Sequence, residues 1–142
     1  MYCYDYPRPS VTVDIVLFTD AFPRREVLLI RRKNPPFEGL WALPGGFLEI
    51  NETLEESALR ELHEETNISD VQLQQIAAFG HPDRDPRGRV ITVAYVGIIK
   101  SEQQKIAAGS DAAEVAWFPV LDLPQLAFDH SDIIEKALEG LK

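Results

Sequence analysis

One cysteine, Cys3, stands in 142 residues. No intramolecular disulfide can form, and a zinc centre built on cysteines has no support. Basic residues are also scarce: 14 Lys and Arg face 23 Asp and Glu, a formal net charge of −9. Binding nucleic acid through its phosphates needs basic patches, so this balance argues against such a partner. It also repels a phosphorylated small molecule unless cations or local arginines intervene. No apolar run is long enough for a membrane span. The start, MYCYDYPRPS, lacks the basic residues and apolar stretch of a signal peptide. The cytoplasm is the expected location. No repeat, low-complexity segment or linker divides the sequence, and its length favours one domain over 1–142.

What is present in excess is carboxylate on a single helix. Residues 46–68 read GFLEINETLEESALRELHEETNI, a glycine turn followed by a helix over 53–66. Leu54, Ala58 and Leu62 recur at i, i+4, i+8 and mark its buried stripe. Asn51 is the expected N-cap, and Glu52, Glu55 and Glu56 suit the positive end of the helix dipole. Glu61, Glu64 and Glu65 do not. They stand at i, i+3, i+4 in the last turns, where like charges repel and the dipole disfavours anions. A solvated acidic face is one explanation. A hard divalent cation among the carboxylates is the other, and magnesium is typically held by such groups together with substrate phosphates.

The flanking residues favour the second explanation. Gly46, Glu52, Arg60, Glu61, Leu62, Glu64, Glu65 and Ile68 stand at the spacings of a long fixed signature. The stretch resembles the Nudix box of the Nudix hydrolases, which cleave nucleoside diphosphates linked to another moiety. One position departs: Asn67 stands where the family usually has glycine. Asparagine tolerates the left-handed backbone needed after a helix, so the turn should survive.

Around this box the chain alternates strands and loops. Residues 1–10 form an arm rich in tyrosine and proline, suited to a stacking surface, a strap in a homodimer, or a tail packed on the domain edge. Residues 11–19 read as a buried strand, and 26–31 as its hairpin partner. Arg31, Arg32 and Lys33 either receive phosphates or form the polar end of that strand. Residues 34–39 are a loop, and Trp41 reads as core. Gly45 and Gly46 allow close backbone approach to a metal or phosphate. Strands are expected over 71–80 and 90–99, joined by a loop carrying Arg84, Arg87 and Arg89 beside Asp83 and Asp85. That loop is self-neutralised or binds phosphate bidentately. A polar loop follows over 100–109, then a short strand over 110–119. A last helix is expected over 132–141, capped by Asp129 or Ser131, with His130 at its start either in the cap, the preferred reading, or in contact with substrate.

The order β-β-β-α-β-β-β-α gives an α/β fold with a mixed sheet. The resemblance implies a Nudix-like α/β/α sandwich with the box helix on one face. It also implies metal-assisted hydrolysis of a pyrophosphate. Mg2+ or Mn2+ would be held by Glu61, Glu64, Glu65 and the Gly45 carbonyl, offset charge on phosphorus and activate water. Glu61 is the first candidate for general base. An acidic residue near the late strand often serves in the family, so Asp111 and Glu114 are candidates, with Glu114 preferred. Arg60 would orient the glutamates and Glu52 would pair with it. Arg31, Arg84, Arg87 and Arg89 are the candidate substrate contacts. The arginine loop, Tyr4, Tyr6 and the run Phe128, Asp129, His130 are similar to the ADP-ribose pyrophosphatase branch. ADP-ribose is then the implied substrate, cleaved to AMP and ribose 5-phosphate. A broader hydrolase of nucleoside triphosphates or dinucleoside polyphosphates is an alternative. A non-catalytic ADP-ribose sensor is another, since related regulators join a similar domain to a DNA-binding one, for which this sequence has no room.

Overall fold

A computed structural model describes residues 2–20, 24–100, 106–109 and 112–141. Seven strands form one mixed sheet flanked by two helices. At its centre runs β1 (Ser10–Thr19), parallel to β6 (Val90–Ile99) along its whole length, from Ser10↔Val90 to Thr19↔Ile99. Strand β5 (Gln74–Phe79) continues the sheet beyond β6. On the other side β1 meets β2 (Glu26–Arg32) in register only at Phe18↔Val27. The expected hairpin partners therefore diverge. The wedge between them is β3 (Trp41–Ala42), which pairs with β2, and β4 (Gly45–Phe47), which pairs with β1. The expected third strand is thus two short ones, interrupted at Leu43 and Pro44. Strand β7 (Ala112–Pro119) lines the far side of β2.

The strand β1 is apolar without alternation because both its faces are covered. Val13, Ile15 and Leu17 pack with Ala58 and Leu62 of α1 (Leu54–Thr66). Val16 and Phe18 pack with Ile133, Ile134 and Ala137 of α2 (His130–Glu139). Leu62 is fully buried, a contribution of about 2 kcal/mol. The sandwich expected from the sequence is the one observed.

Three local expectations need correction. The cap of α1 is Thr53, not Asn51. Thr53 Oγ1 accepts from the Glu56 N–H at 3.1 Å, and Glu56 Oε1 accepts from the Thr53 N–H at 3.2 Å. This reciprocal pair satisfies two otherwise unpartnered donors. Helix α2 begins at His130, and neither Asp129 nor Ser131 caps it with a side chain. Asp129 holds the N-cap position, but its carboxylate is taken by Arg84. Finally, the N-terminal arm is not packed on the domain edge: Tyr2 through Pro9 are all exposed. Asn67 does adopt the left-handed conformation, with φ 70° and ψ 9°, and its N–H donates to the His63 carbonyl. Among the described residues, no helix is long and apolar enough to cross a membrane.

Candidate active site

Where β1 and β2 separate, a cavity of about 500 Å³ opens beside the second half of α1. Gly45, Gly46, Phe47, Glu49, Arg60, Glu61 and Glu65 form one wall. Helical spacing turns these glutamates toward β4, and β4 is fixed by its pairing with β1 at Asp14↔Gly45. Glu65, 5% exposed, accepts from the Gly45 N–H at 2.8 Å. A Cβ on Gly46 would stand 2.5 Å from the Glu61 carboxylate, so only glycine admits that side chain.

Arg60 holds the acids together. Its Nε and Nη2 donate to Glu52 at 2.9 and 2.6 Å. Its Nη1 donates to Glu61 at 2.9 Å and to Glu64 at 3.2 Å. The Arg60 hydrogen bonds hold the Glu52 carboxyl down at about 2. Burial pushes Glu61 the other way, above the usual carboxylate range, against the pull of Arg60. With Arg60 in this position the carboxylates do not converge. Among the described residues no group of three or more His, Cys, Asp or Glu side chains could hold a metal ion. The donor set itself, Glu61, Glu64 and Glu65, is all oxygen and suits a hard divalent cation.

The rest of the lining is largely basic and aromatic. It includes Arg32, Lys33, Arg84, Arg87, Phe128 and His130. Arg84 grips Asp129 in a fork, Nε to Oδ2 at 2.9 Å and Nη2 to Oδ1 at 2.7 Å. Arg87 makes the same fork to Asp85 at 3.0 and 2.7 Å. Asp14, only 6% exposed, accepts from the Thr92 hydroxyl at 2.6 Å, and its Oδ1 lies 3.5 Å from His130 Nε2. His130 Nδ1 accepts the Leu43 N–H at 2.9 Å. That acceptor role requires Nδ1 to be unprotonated, and burial lowers the His130 pKa in the same direction.

A pH dependence of stability follows. A folded His130 that resists protonation costs stability once the unfolded imidazole, with its ordinary value of 6.5, takes up a proton. Glu52 acts at lower pH. Its depressed pKa stabilises the fold above the ordinary 4.5, and this is lost as pH falls toward about 2. The Tm should fall in two stages, first below about pH 6.5, then between about 4.5 and 2. His130→Asn should remove the first stage and keep the second. An unchanged first stage in that variant would rule His130 out as its source.

The candidate residues from the sequence divide by location. Arg60, Glu61, Glu65, Gly45, Arg84 and Arg87 line the cavity. Glu64 joins them through Arg60, its side chain 44% exposed. Arg31 and Glu114 do not line it; they face each other across β2 and β7, 3.0 Å apart. Arg89 Nη1 donates to the Gly80 carbonyl outside the cavity. Asp111 lies outside the described residues. Sequence reasoning missed Asp14 and the cavity role of Phe128, and left His130 between a place in the cap and a contact to substrate; the Arg87–Asp85 pair is the self-neutralised half of the arginine loop. The signal for Asp14 was available: a lone carboxylate inside the apolar run VTVDIVLF.

Comparison with known proteins agrees with this geometry. The NUDIX domain profile matches residues 8–137. The ADP-ribose pyrophosphatase of Methanocaldococcus jannaschii is 44% identical over 131 residues, covering 92% of this chain and 73% of that enzyme. The ADPR responsive transcriptional repressor NtrR of Acinetobacter baylyi is 41% identical over 141 residues, covering 96% of this chain. The chain spans only 56% of that repressor. The NUDIX domain of Shewanella oneidensis NrtR, solved with ADP ribose, superposes with a TM-score of 0.90 at 38% identity. That match covers 98% of this chain and 94% of the other. With the glutamate helix against a glycine strand and a profile matched across nearly its full length, this chain belongs to the NUDIX family.

Proposed function

We propose that the chain hydrolyses the pyrophosphate of ADP-ribose, giving AMP and ribose 5-phosphate. The observation that carries this reading is one cavity lined by both Glu61 and Glu65 and by Arg32, Arg84 and Arg87. A pyrophosphate diester carries two negative charges, and only a cation among the glutamates lets it approach them. Glu61, Glu64, Glu65 and the Gly45 carbonyl would hold a divalent ion, Mg2+ or Mn2+. Such an ion supplies positive charge against the phosphate oxygens and makes water a better nucleophile at neutral pH.

The remaining roles belong to the chain itself. Glu61, partly buried with its pKa raised, is the group proposed to take the proton of the attacking water. Arg60, anchored to Glu52, orients Glu61 and Glu64. Arg84 and Arg87, fixed by Asp129 and Asp85, form a cationic lining without the freedom of long unpaired side chains. The identity to an ADP-ribose pyrophosphatase and the likeness to an ADP-ribose-bound domain support this substrate.

A second reading is an ADP-ribose-binding domain without useful turnover, and the similarity to an ADPR responsive repressor supports it. One assay separates the two. With ADP-ribose and Mg2+, the purified protein should release AMP and ribose 5-phosphate in equal amounts. Tight binding with no product would favour the sensor. Turnover of nucleoside triphosphates in preference to ADP-ribose would favour the broader hydrolase.

A further inference from the structure

The arginines that line the cavity are all engaged within the fold. Arg60 donates to Glu52, Glu61 and Glu64. Arg84 is matched by Asp129, and Arg87 by Asp85. Arg32 is committed to its own loop: its Nε donates to the Pro36 carbonyl at 2.7 Å and its Nη2 to the Asn34 carbonyl at 3.5 Å. A guanidinium matched by a carboxylate presents a dipole to a ligand, and the field of a dipole fades faster with distance than that of a single charge.

Lys33 is the remaining cation of the lining. Among the described residues its ammonium makes no ion pair and no hydrogen bond. Its place is set by the backbone. Strand β2 ends at Arg32, whose N–H donates to the Leu40 carbonyl at 2.8 Å and whose carbonyl accepts the Gly39 N–H at 2.8 Å. These two bonds close a loop that starts at Lys33, and Lys33, Asn34 and Pro35 all lie on the cavity. Lys33 is exposed there. Its ammonium is a point charge on a flexible stem. It can meet a phosphate oxygen without breaking a bond on which the fold depends.

The charge balance gives that freedom a use. Asp14, Glu49, Glu61, Glu65 and Asp85 line the same cavity. Glu52, Glu64 and Asp129, which engage Arg60 and Arg84, add further negative charge behind it. Acids therefore outnumber cations around the site. We infer that Lys33 is a substrate-binding residue: its ammonium pairs with a phosphate oxygen of the nucleoside diphosphate and sets affinity for it, not the rate of its cleavage. This rests on the cavity being a nucleoside diphosphate hydrolase site. A lysine that merely solvated its loop would leave binding unchanged when its charge is removed.

Four variants test this. Lys33→Met removes the charge, Lys33→Arg keeps it and Lys33→Glu reverses it. Lys136→Met alters the net charge equally from outside the cavity, on α2, where Lys136 pairs with Glu139. With ADP-ribose and Mg2+, Lys33→Met should raise KM about fivefold and Lys33→Glu about 20-fold, with kcat within about twofold. Lys33→Arg and Lys136→Met should stay within about twofold of wild type. Raising the ionic strength from about 0.05 to about 0.5 M should shrink the gap between wild type and Lys33→Met to less than about twofold. Calorimetric titration with inorganic pyrophosphate and Mg2+ should give Kd values in the same order. Equal KM and Kd for wild type, Lys33→Met and Lys33→Glu would overturn the role of Lys33. So would an equal rise in Lys136→Met, or a gap that salt leaves unchanged. A wild-type protein that does not cleave ADP-ribose, yet binds pyrophosphate in the predicted order of variants, would overturn the substrate assignment and leave the role of Lys33 standing. A wild-type protein that does not bind pyrophosphate would overturn that role.

Discussion

Glu64→Gln should lower kcat on ADP-ribose by about 100- to 1,000-fold, with Tm within about 3 °C of wild type. The change keeps the shape of the side chain and removes its charge. One carboxylate in a hard-cation site contributes several kcal/mol to the stabilisation of charge on phosphorus, and each 1.4 kcal/mol or so is a factor of ten in rate. Folding depends on Glu64 far less. Its side chain is 44% exposed, and its ion pair with Arg60 spans 3.2 Å across one helical turn. Pairs of that kind contribute about 1 kcal/mol or less. Glu64 is therefore a cleaner probe than Glu61, whose side chain is 13% exposed and carries a shorter bond to Arg60. Steady-state kinetics with Mg2+ and a thermal melt on the same preparation suffice. Activity near the wild-type level in a folded Glu64→Gln protein would remove the metal assignment.

The adjacent glycines should fail in different ways. An alanine Cβ at Gly45 would overlap the Val13 carbonyl and come within 2.5 Å of the Asp14 carboxylate. Both belong to the central strand, so neither can yield. Gly45→Ala should cost about 2–3 kcal/mol or more, as overpacking does, and lower Tm by roughly 5–10 °C. The alanine at Gly46 would meet the carboxyl end of Glu61 first. That group can swing aside at little cost to folding, but not while keeping its place in the cavity. Gly46→Ala should keep a near-native Tm and lose most of its turnover. Equal Tm losses in the two variants would mean that Glu61 is held as rigidly as the backbone, contrary to this account.

The box helix was legible because its signals are local. The 3.6-residue period, the fixed acidic spacing and the left-handed position at Asn67 all lie within a few turns of one another. The cap at Thr53 was legible too, in the Thr-to-Glu interval that closes on Glu56, and Asn51 drew attention away from it. The cationic lining was only half legible. Charge is visible in a sequence, but which side of a strand presents it is set by a period of two. Arg32 lines the cavity while its neighbour Arg31 turns to Glu114 on β7. Partners far apart in sequence were not legible at all. Asp129 is 45 residues from Arg84, and its use there explains why it does not cap α2. The same holds for Thr92 and Asp14, 78 residues apart and joined only by the parallel pairing of β1 with β6.

That parallel pairing gives β1 two duties at once. The strand that supports both helices also forms, through Thr12 and Asp14, the floor on which a ligand would rest. A substitution in the floor therefore disturbs the scaffold as well. Change in ligand preference is left to the rim: residues 33–40, the arginine turn before β6, and the short link ahead of α2. Variation tolerated there can retune recognition while the floor stays as it is.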